Sequence, residues 1–251
     1  MLDPIVAMPR PRKRLGMLTP SSNTALEPVT TAMLAGLPEV TAHFSRFKVT
    51  EIALSAQSQA QFDDSAILHA AELLAHAKVD VIAWNGTSAS WLGFDRDERL
   101  TERITAATGI KARTCVLGYR SVFQSTRVSR IGLVSPYTPD VQARITSTWG
   151  ASGFNCTAER HANIADNFSF AEIPEAQIEH MIRDVAAEGC EAIAILCTNM
   201  RGASLAAKLE AELGLPIYDS VAVTLWTCLR AVKADLSRIS GWGRIFAEPD
   251  K

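Results

Sequence analysis

No CxxC pair, no HExxH, no glycine-rich phosphate loop and no apolar run of about 18 residues occurs in this sequence, and each absence excludes a class of protein. The five cysteines, Cys115, Cys156, Cys190, Cys197 and Cys228, are odd in number and have no paired spacing. Neither a disulfide framework nor a zinc site is expected of them. Histidines 43, 69, 76, 161 and 180 likewise lack ligand spacing, so we expect no metal and no other cofactor. A membrane span and a signal-peptide core are also missing, which makes the cytoplasm the expected location. With a net charge of −2 and dispersed basic residues, no nucleic-acid partner is expected, and a small molecule is. Arg10, Arg12, Lys13 and Arg14 do cluster, but prolines interrupt them, and residues 1–12 read as a flexible, solvated arm.

What the chain does have is an internal repeat. At 251 residues and 47% hydrophobic content it can bury a sizeable core. Arg14-Leu-Gly-Met-Leu-Thr-Pro20 matches Arg130-Ile-Gly-Leu-Val-Ser-Pro136. Asp80-Val-Ile-Ala-Trp-Asn-Gly-Thr87 matches Glu191-Ala-Ile-Ala-Ile-Leu-Cys-Thr198, and Thr108-Gly-Ile-Lys-Ala112 matches Leu213-Gly-Leu-Pro-Ile217. Three matches in one order, at similar offsets, describe a duplicated unit. Between the apolar runs, residues 64–78, 98–108, 174–188 and 204–213 carry apolar positions at helical spacing. Strands alternating with such helices imply parallel sheets covered on both faces. The fold class is therefore α/β: two pseudo-symmetric, doubly wound lobes with four-stranded parallel sheets and a cleft between them. Residues 13–119 with 220–246 form the first lobe, and 120–219 the second. A helix from Ser220 to Lys233 returns to the first lobe.

Ligands of such sheets bind beyond the carboxyl ends of the strands. The loops placed there carry Ser22 and Asn23, Gly86, Thr87 and Ser88, Tyr137, and Cys197, Thr198 and Asn199. They offer hydroxyls, amides and backbone N–H groups without lysine or histidine, which suits a carboxylate or a developing enediolate. If the lobes face each other, Gly86 and Cys197 stand on opposite walls. Most free cysteines are small buried hydrophobes, and Cys115, Cys156, Cys190 and Cys228 read that way. Cys197 differs because it ends an apolar run and is followed by polar Thr198 and Asn199, where a helix N-terminus would lower its thiol pKa. His161 with Asp166 as a base pair is the weaker reading of those residues, and a surface histidine the stronger. Arg201 is open between binding a substrate carboxylate and capping surface charge. Trp84, Trp91 and Phe94 read as core, with contact to an aromatic substrate as the alternative.

These motifs resemble a known family. Leu18-Thr-Pro-Ser-Ser-Asn-Thr-Ala-Leu-Glu-Pro28, Ser135-Pro-Tyr-Thr-Pro139, Asp166-Asn167 and Cys197-Thr-Asn-Met-Arg201 are similar to motifs of the bacterial maleate cis-trans isomerases, within the aspartate/glutamate racemase superfamily. In that family, the resemblance implies, Asn23, Tyr137 and Asn167 hold substrate carboxylates and Cys197 acts as an acid, opposite a second, nucleophilic cysteine. Here Gly86-Thr-Ser-Ala-Ser-Trp91 stands where the second cysteine belongs, and this form, like the ending Gly241-Trp-Gly-Arg-Ile-Phe246, resembles arylmalonate decarboxylase. By that analogy Thr87, Ser88, Tyr137 and the backbone at Cys197 and Thr198 form a dioxyanion hole.

Glycine cannot supply the second acid or base that two-face racemisation needs, nor a thiolate for covalent isomerisation. Loss of carbon dioxide needs only enediolate stabilisation and one proton donor. The expectation is a cofactor-independent decarboxylase of a malonate-type dicarboxylic acid. An isomerase of a small dicarboxylate and a non-catalytic carboxylate-binding protein are the alternatives. A small dicarboxylate is the expected partner, no membrane is expected, and homo-oligomerisation stays open.

Overall fold

The first matched pair of apolar runs forms strands β1 (Lys13–Pro20) and β5 (Arg130–Ser135). The structure, a computed structural model, describes residues 12–54 and 64–248. Apart from Arg12, the terminal arm expected over residues 1–12 lies outside the described residues. After β1 come α1 (Leu26–Met33), β2 (Val40–Phe47), α2 (Asp64–His76), β3 (Val81–Trp84), the short α3 (Ala89–Leu92), α4 (Phe94–Thr108) and β4 (Ala112–Thr114). Helix α5 (Cys115–Thr126) leads to β5. The second half continues with α6 (Pro139–Ala151), β6 (Asn155–His161), α7 (Glu175–Ala187), β7 (Ala192–Ile195), α8 (Ala206–Leu213), β8 (Ile217–Asp219) and α9 (Ser220–Ala231).

Both sheets are parallel and carry the same permutation, β2-β1-β3-β4 and β6-β5-β7-β8. The three sequence matches are thus the strand pairs β1/β5, β3/β7 and β4/β8. Inner strands β3 and β7 are buried at every position, as the covered faces of a parallel sheet require. Register places Leu18 beside Trp84 and Val134 beside Ile195, so the loops after neighbouring strands leave each sheet side by side. Local chemistry sets the helix ends. Helix α4 starts after Gly93 (φ +107°), carries Asp95 and Asp97 in its first turn where the N-terminal dipole favours acids, and stops at the left-handed Gly109 (φ +70°).

The two halves exchange helices. Helix α9 leaves β8 of the second sheet and packs on β3 and β4 of the first. Helix α5 makes the opposite journey, and the domain boundary expected after residue 119 falls inside it. Tyr119 Oη donates toward the Ile195 and Tyr218 carbonyls at 2.8 and 2.9 Å, while Phe123 stacks near Tyr218. The helices cross closely at Gly118, where a Cβ would come 2.8 Å from Val223 Cγ1. No helix among the described residues is long and apolar enough to cross a membrane.

Candidate active site

The site grows from the loops that follow β1, β3, β5 and β7. Asn23 anchors the first of them: its side-chain oxygen accepts from the Ala25 and Leu26 N–H groups at the start of α1, and its amide donates to Thr198 Oγ1 across the lobes at 3.1 Å. Thr198 in turn donates to the Asn85 carbonyl at 2.8 Å. Asn199 reaches the same way, accepting from Thr24 N–H at 2.9 Å and donating to the Asn167 carbonyl at 2.5 Å. Asn167 Nδ2 donates to Ser22 Oγ at 2.7 Å, and Ser22 donates to the Val49 carbonyl at 2.7 Å. These side chains clasp the loops after β1, β3 and β7 to the segments that carry Val49 and Asn167.

Inside the clasp lies a cavity of about 20 Å³, room for one water molecule, lined by Gly86, Thr87, Ser88, Tyr137, Asn167, Cys197 and Thr198. Pro20, Val49, Ile52, Trp84 and Trp91 complete its walls. Seven of the ten expected site residues therefore meet there. Ser22, Asn23 and Asn199 do not line it; their hydrogen-bonding groups are engaged in holding the loops, which differs from the carboxylate contact that the family resemblance implied for Asn23. Thr87 Oγ1 and Tyr137 Oη, one from each lobe, stand 2.5 Å apart. The backbone N–H groups of Gly86, Thr87, Ser88 and Thr198 donate to no acceptor among the described residues, so this wall presents unspent donors.

Cys197 is 3% exposed, and its sulfur accepts from Asn199 N–H at 3.3 Å. The expectation that a helix N-terminus depresses its thiol pKa is overturned. Burial pushes the thiol up to about 12, and the donors at Asn199 and Tyr137, although they favour the thiolate, do not offset the lost hydration. Burial likewise drives the Tyr137 phenol well above its ordinary value. At neutral pH both groups carry their protons. Among the described residues, no carboxylate, histidine, lysine or arginine lines the cavity.

The opposite wall is not bare backbone. A Cβ built on Gly86 would lie 1.8 Å from Trp84 Cζ2 and 2.2 Å from Cε2, so the indole fills the space into which a side chain at position 86 would project. Trp84 is itself fixed, 1% exposed and packed on Phe47 with ring centroids 5.1 Å apart.

Comparison with known proteins places this geometry. The family profile described as arylmalonate decarboxylase matches residues 15–246. The chain belongs to the arylmalonate decarboxylase family. Among curated proteins it is similar to the maleate isomerase of Pseudomonas putida, 27% identical over 231 residues that cover 87% of this chain and 91% of that one. It is also similar to the arylmalonate decarboxylase of Bordetella bronchiseptica, 24% identical over 171 residues, covering 67% of this chain and 71% of the relative. The fold matches a solved structure of Nocardia farcinica maleate cis-trans isomerase with a TM-score of 0.85, at 21% identity over 93% of this chain and 97% of that one. It matches a crystal structure of arylmalonate decarboxylase with a TM-score of 0.76, at 20% identity over 94% and 100%.

The other candidates of this arylmalonate decarboxylase family chain fall only partly within the cavity. His161 Nδ1 lies 2.9 Å from Glu159 Oε2, while Asp166 accepts from Ser169 N–H and Oγ–H; the two form no pair in the cavity. Arg201 donates to the Ile173 carbonyl at 3.4 Å and takes no part in the lining. Phe94 packs on Phe154, whereas Trp84 and Trp91 do reach the cavity, Trp91 standing edge-on to Tyr137 at 5.5 Å.

Two features escaped the sequence reading. Val49 and Ile52 cover the cavity from a segment pinned by Ile52 N–H donating to the Ala165 carbonyl at 2.9 Å. Asp219, fully buried at the end of β8, caps α9 by accepting from Val221 and Ala222 N–H, and its field adds to the rise of the Cys197 pKa. An acidic residue directly before Ser220 and an apolar helix was the available signal.

Proposed function

We propose that this protein is a cofactor-independent decarboxylase of a small malonate-type dicarboxylic acid. The observation that carries the reading is the Trp84 indole occupying the side-chain space of Gly86, which leaves Cys197 and Tyr137 as the only titratable groups among the described residues that line the cavity.

In this mechanism one carboxylate of the substrate sits against the open N–H groups of Gly86, Thr87, Ser88 and Thr198, beside the Thr87 and Tyr137 hydroxyls. The other leaves as carbon dioxide. Its C–C bonding pair becomes the enediolate, whose charge those donors stabilise as it develops. The Cys197 thiol then gives its proton to carbon on one face, and a proton from water restores it. A thiol held protonated by burial suits this role, whereas attack on a double bond needs a thiolate. Ser22, Asn23 and Asn199 act as positioning residues, keeping the donors aimed.

The cavity is smaller than any diacid, so substrate entry requires the Val49–Ile52 segment to shift outward. Cis-trans isomerisation of a dicarboxylate is the second reading, favoured by the 27% identity to maleate isomerase. Incubation in D2O with methylmalonate, phenylmalonate and maleate separates the readings. Carbon dioxide release with one stereospecific deuterium in the product supports decarboxylation. Fumarate without carbon dioxide sinks it, and unchanged ligands that nevertheless bind would make the protein a carboxylate binder.

A further inference from the structure

We propose that the concavity along the open edge of the first sheet is a second binding site, for a compact polyanion carrying two or more phosphate or carboxylate groups. It has a volume of about 510 Å³, within the range of small-molecule sites, and shares no lining residue with the Cys197 cavity. Its walls are β4, α5 and the C-terminal half of α9.

The lining is chemically one-sided. Lys111 comes from just before the β4 edge and Arg113 from its middle, Arg120 from α5, Arg230 from the end of α9 and Lys233 just beyond it; among the described residues no carboxylate joins them in the lining. This accumulation arises in a chain whose net charge is −2. A further ammonium stands at the rim, because Lys13 Nζ donates to the Lys233 carbonyl at 2.5 Å. Outside the lining, Glu98 accepts from Arg120 at 2.8 Å, and Glu248 lines a neighbouring concavity together with Arg230 and Lys233. The Arg230 guanidinium lies over the Trp226 ring, its Cζ 4.7 Å from the ring centroid. Trp226 is 3% exposed, lines the concavity, and its indole N–H has no acceptor among the described residues. An anionic oxygen would serve it.

Pseudo-symmetry gives an independent reason. β4 with α5, and β8 with α9, are equivalent: each is the edge strand of its sheet followed directly by the exchanged helix. In the second lobe that edge is covered by the chain's own ending. The turn Arg244–Ala247 packs on β8 and α9, burying Ile245 and Phe246. No described segment covers the first lobe in the same way, and apolar cover is replaced there by cations. The equivalent position is thus built to receive something charged and separate.

Calorimetric titration of the full chain with inorganic pyrophosphate and, separately, citrate at about 0.15 M salt tests the assignment without reference to turnover. We expect saturable binding of one equivalent of at least one probe, weakened about tenfold or more by Arg113→Gln with Arg230→Gln. Lys208→Gln, on α8 of the other lobe, should leave it unchanged. If Arg230→Gln unfolds the protein by melting, the Lys111→Gln and Arg113→Gln pair at the strand edge carries the same expectation. Which probe binds distinguishes a phosphate from a carboxylate ligand. The proposal is overturned if neither probe saturates, if Lys208→Gln weakens binding as much as the groove variants, or if sedimentation shows a dimer that those variants dissociate, since the groove would then seat a second copy.

Discussion

Thr87 Oγ1 and Tyr137 Oη meet at 2.5 Å across the cleft, joining the loop after β3 to the loop after β5 in a buried hydrogen bond between the lobes. Removing the phenolic oxygen strands a buried hydroxyl and deletes a donor aimed at the developing enediolate. Tyr137→Phe should therefore lower kcat/KM about a hundredfold while the circular dichroism spectrum stays unchanged. Steady-state kinetics on the confirmed substrate check this, and a variant with full activity would remove Tyr137 from the donor set.

Cys197 should behave as an acid that is never spontaneously a thiolate. Its pKa of about 12 predicts a rate flat in pH from about 7 to 10, falling only as the thiol begins to ionise. Cys197→Ser should cost about a hundredfold or more in turnover. Iodoacetamide at about pH 8 should label this residue far more slowly than an ordinary exposed thiol, read by mass spectrometry. Rapid labelling, or a rate that climbs with pH, would point instead to a nucleophilic thiolate.

The Gly86–Trp84 contact makes a paired prediction. From the motif alone, cysteine at position 86 would be expected to create a second acid/base and, with it, racemase activity. The indole forbids this: Gly86→Cys by itself should overpack the wall and lose about 1–3 kcal/mol in urea unfolding. Combined with Trp84→Leu, which vacates the space, Gly86→Cys should recover much of that stability and exchange the α-proton of a chiral product in D2O. Exchange by the single variant, and none by the double, would show that Trp84 does not control that wall.

Three buried carboxyls, Asp97, Asp219 and Glu210, are pushed up by burial and give stability a pH dependence. Burial pushes Asp97 and Asp219 up to about 7 each, against roughly 4 in an unfolded chain. Between those limits the folded protein holds protons that the unfolded chain has released, so their stabilising contribution is complete below about pH 4 and is lost as pH rises through about 7. Urea midpoints should be higher at about pH 5 than at about pH 8, by free energies on the order of a few kcal/mol. Asp219→Asn keeps the oxygen that caps α9 and should reduce the difference; an unchanged pH slope would assign the effect to other groups.

Much of the architecture was legible because duplication writes itself twice. The Arg14–Pro20 and Arg130–Pro136 runs and their two companion pairs identified six of the eight strands, and strand-end topology then located Gly86, Thr87, Ser88, Tyr137 and Cys197. What stayed hidden depends on directions that periodicity does not carry. Trp84 closes a fully buried four-residue strand, and nothing in Val-Ile-Ala-Trp tells that its ring folds over the glycine two residues later. Asn23 and Asn199 look like ligand amides in sequence, but their partners, Thr198 and Asn167, lie far along the chain. The thiol pKa was misread for a related reason: the local loop favours the thiolate, while the surrounding burial comes from the whole fold.

Because α5 roofs the sheet it did not come from, and α9 repays the loan, the molecule is cross-braced at its middle. A cut between α5 and β5 would give two fragments, each lacking part of the roof over its own strands and exposing Tyr119, Phe123 or the apolar face of α9 to water. Neither fragment should fold by itself, but mixed together they should refold into one active particle. The same bracing leaves little freedom for the halves to hinge apart, which assigns the opening of the pocket to its thin cover rather than to its walls.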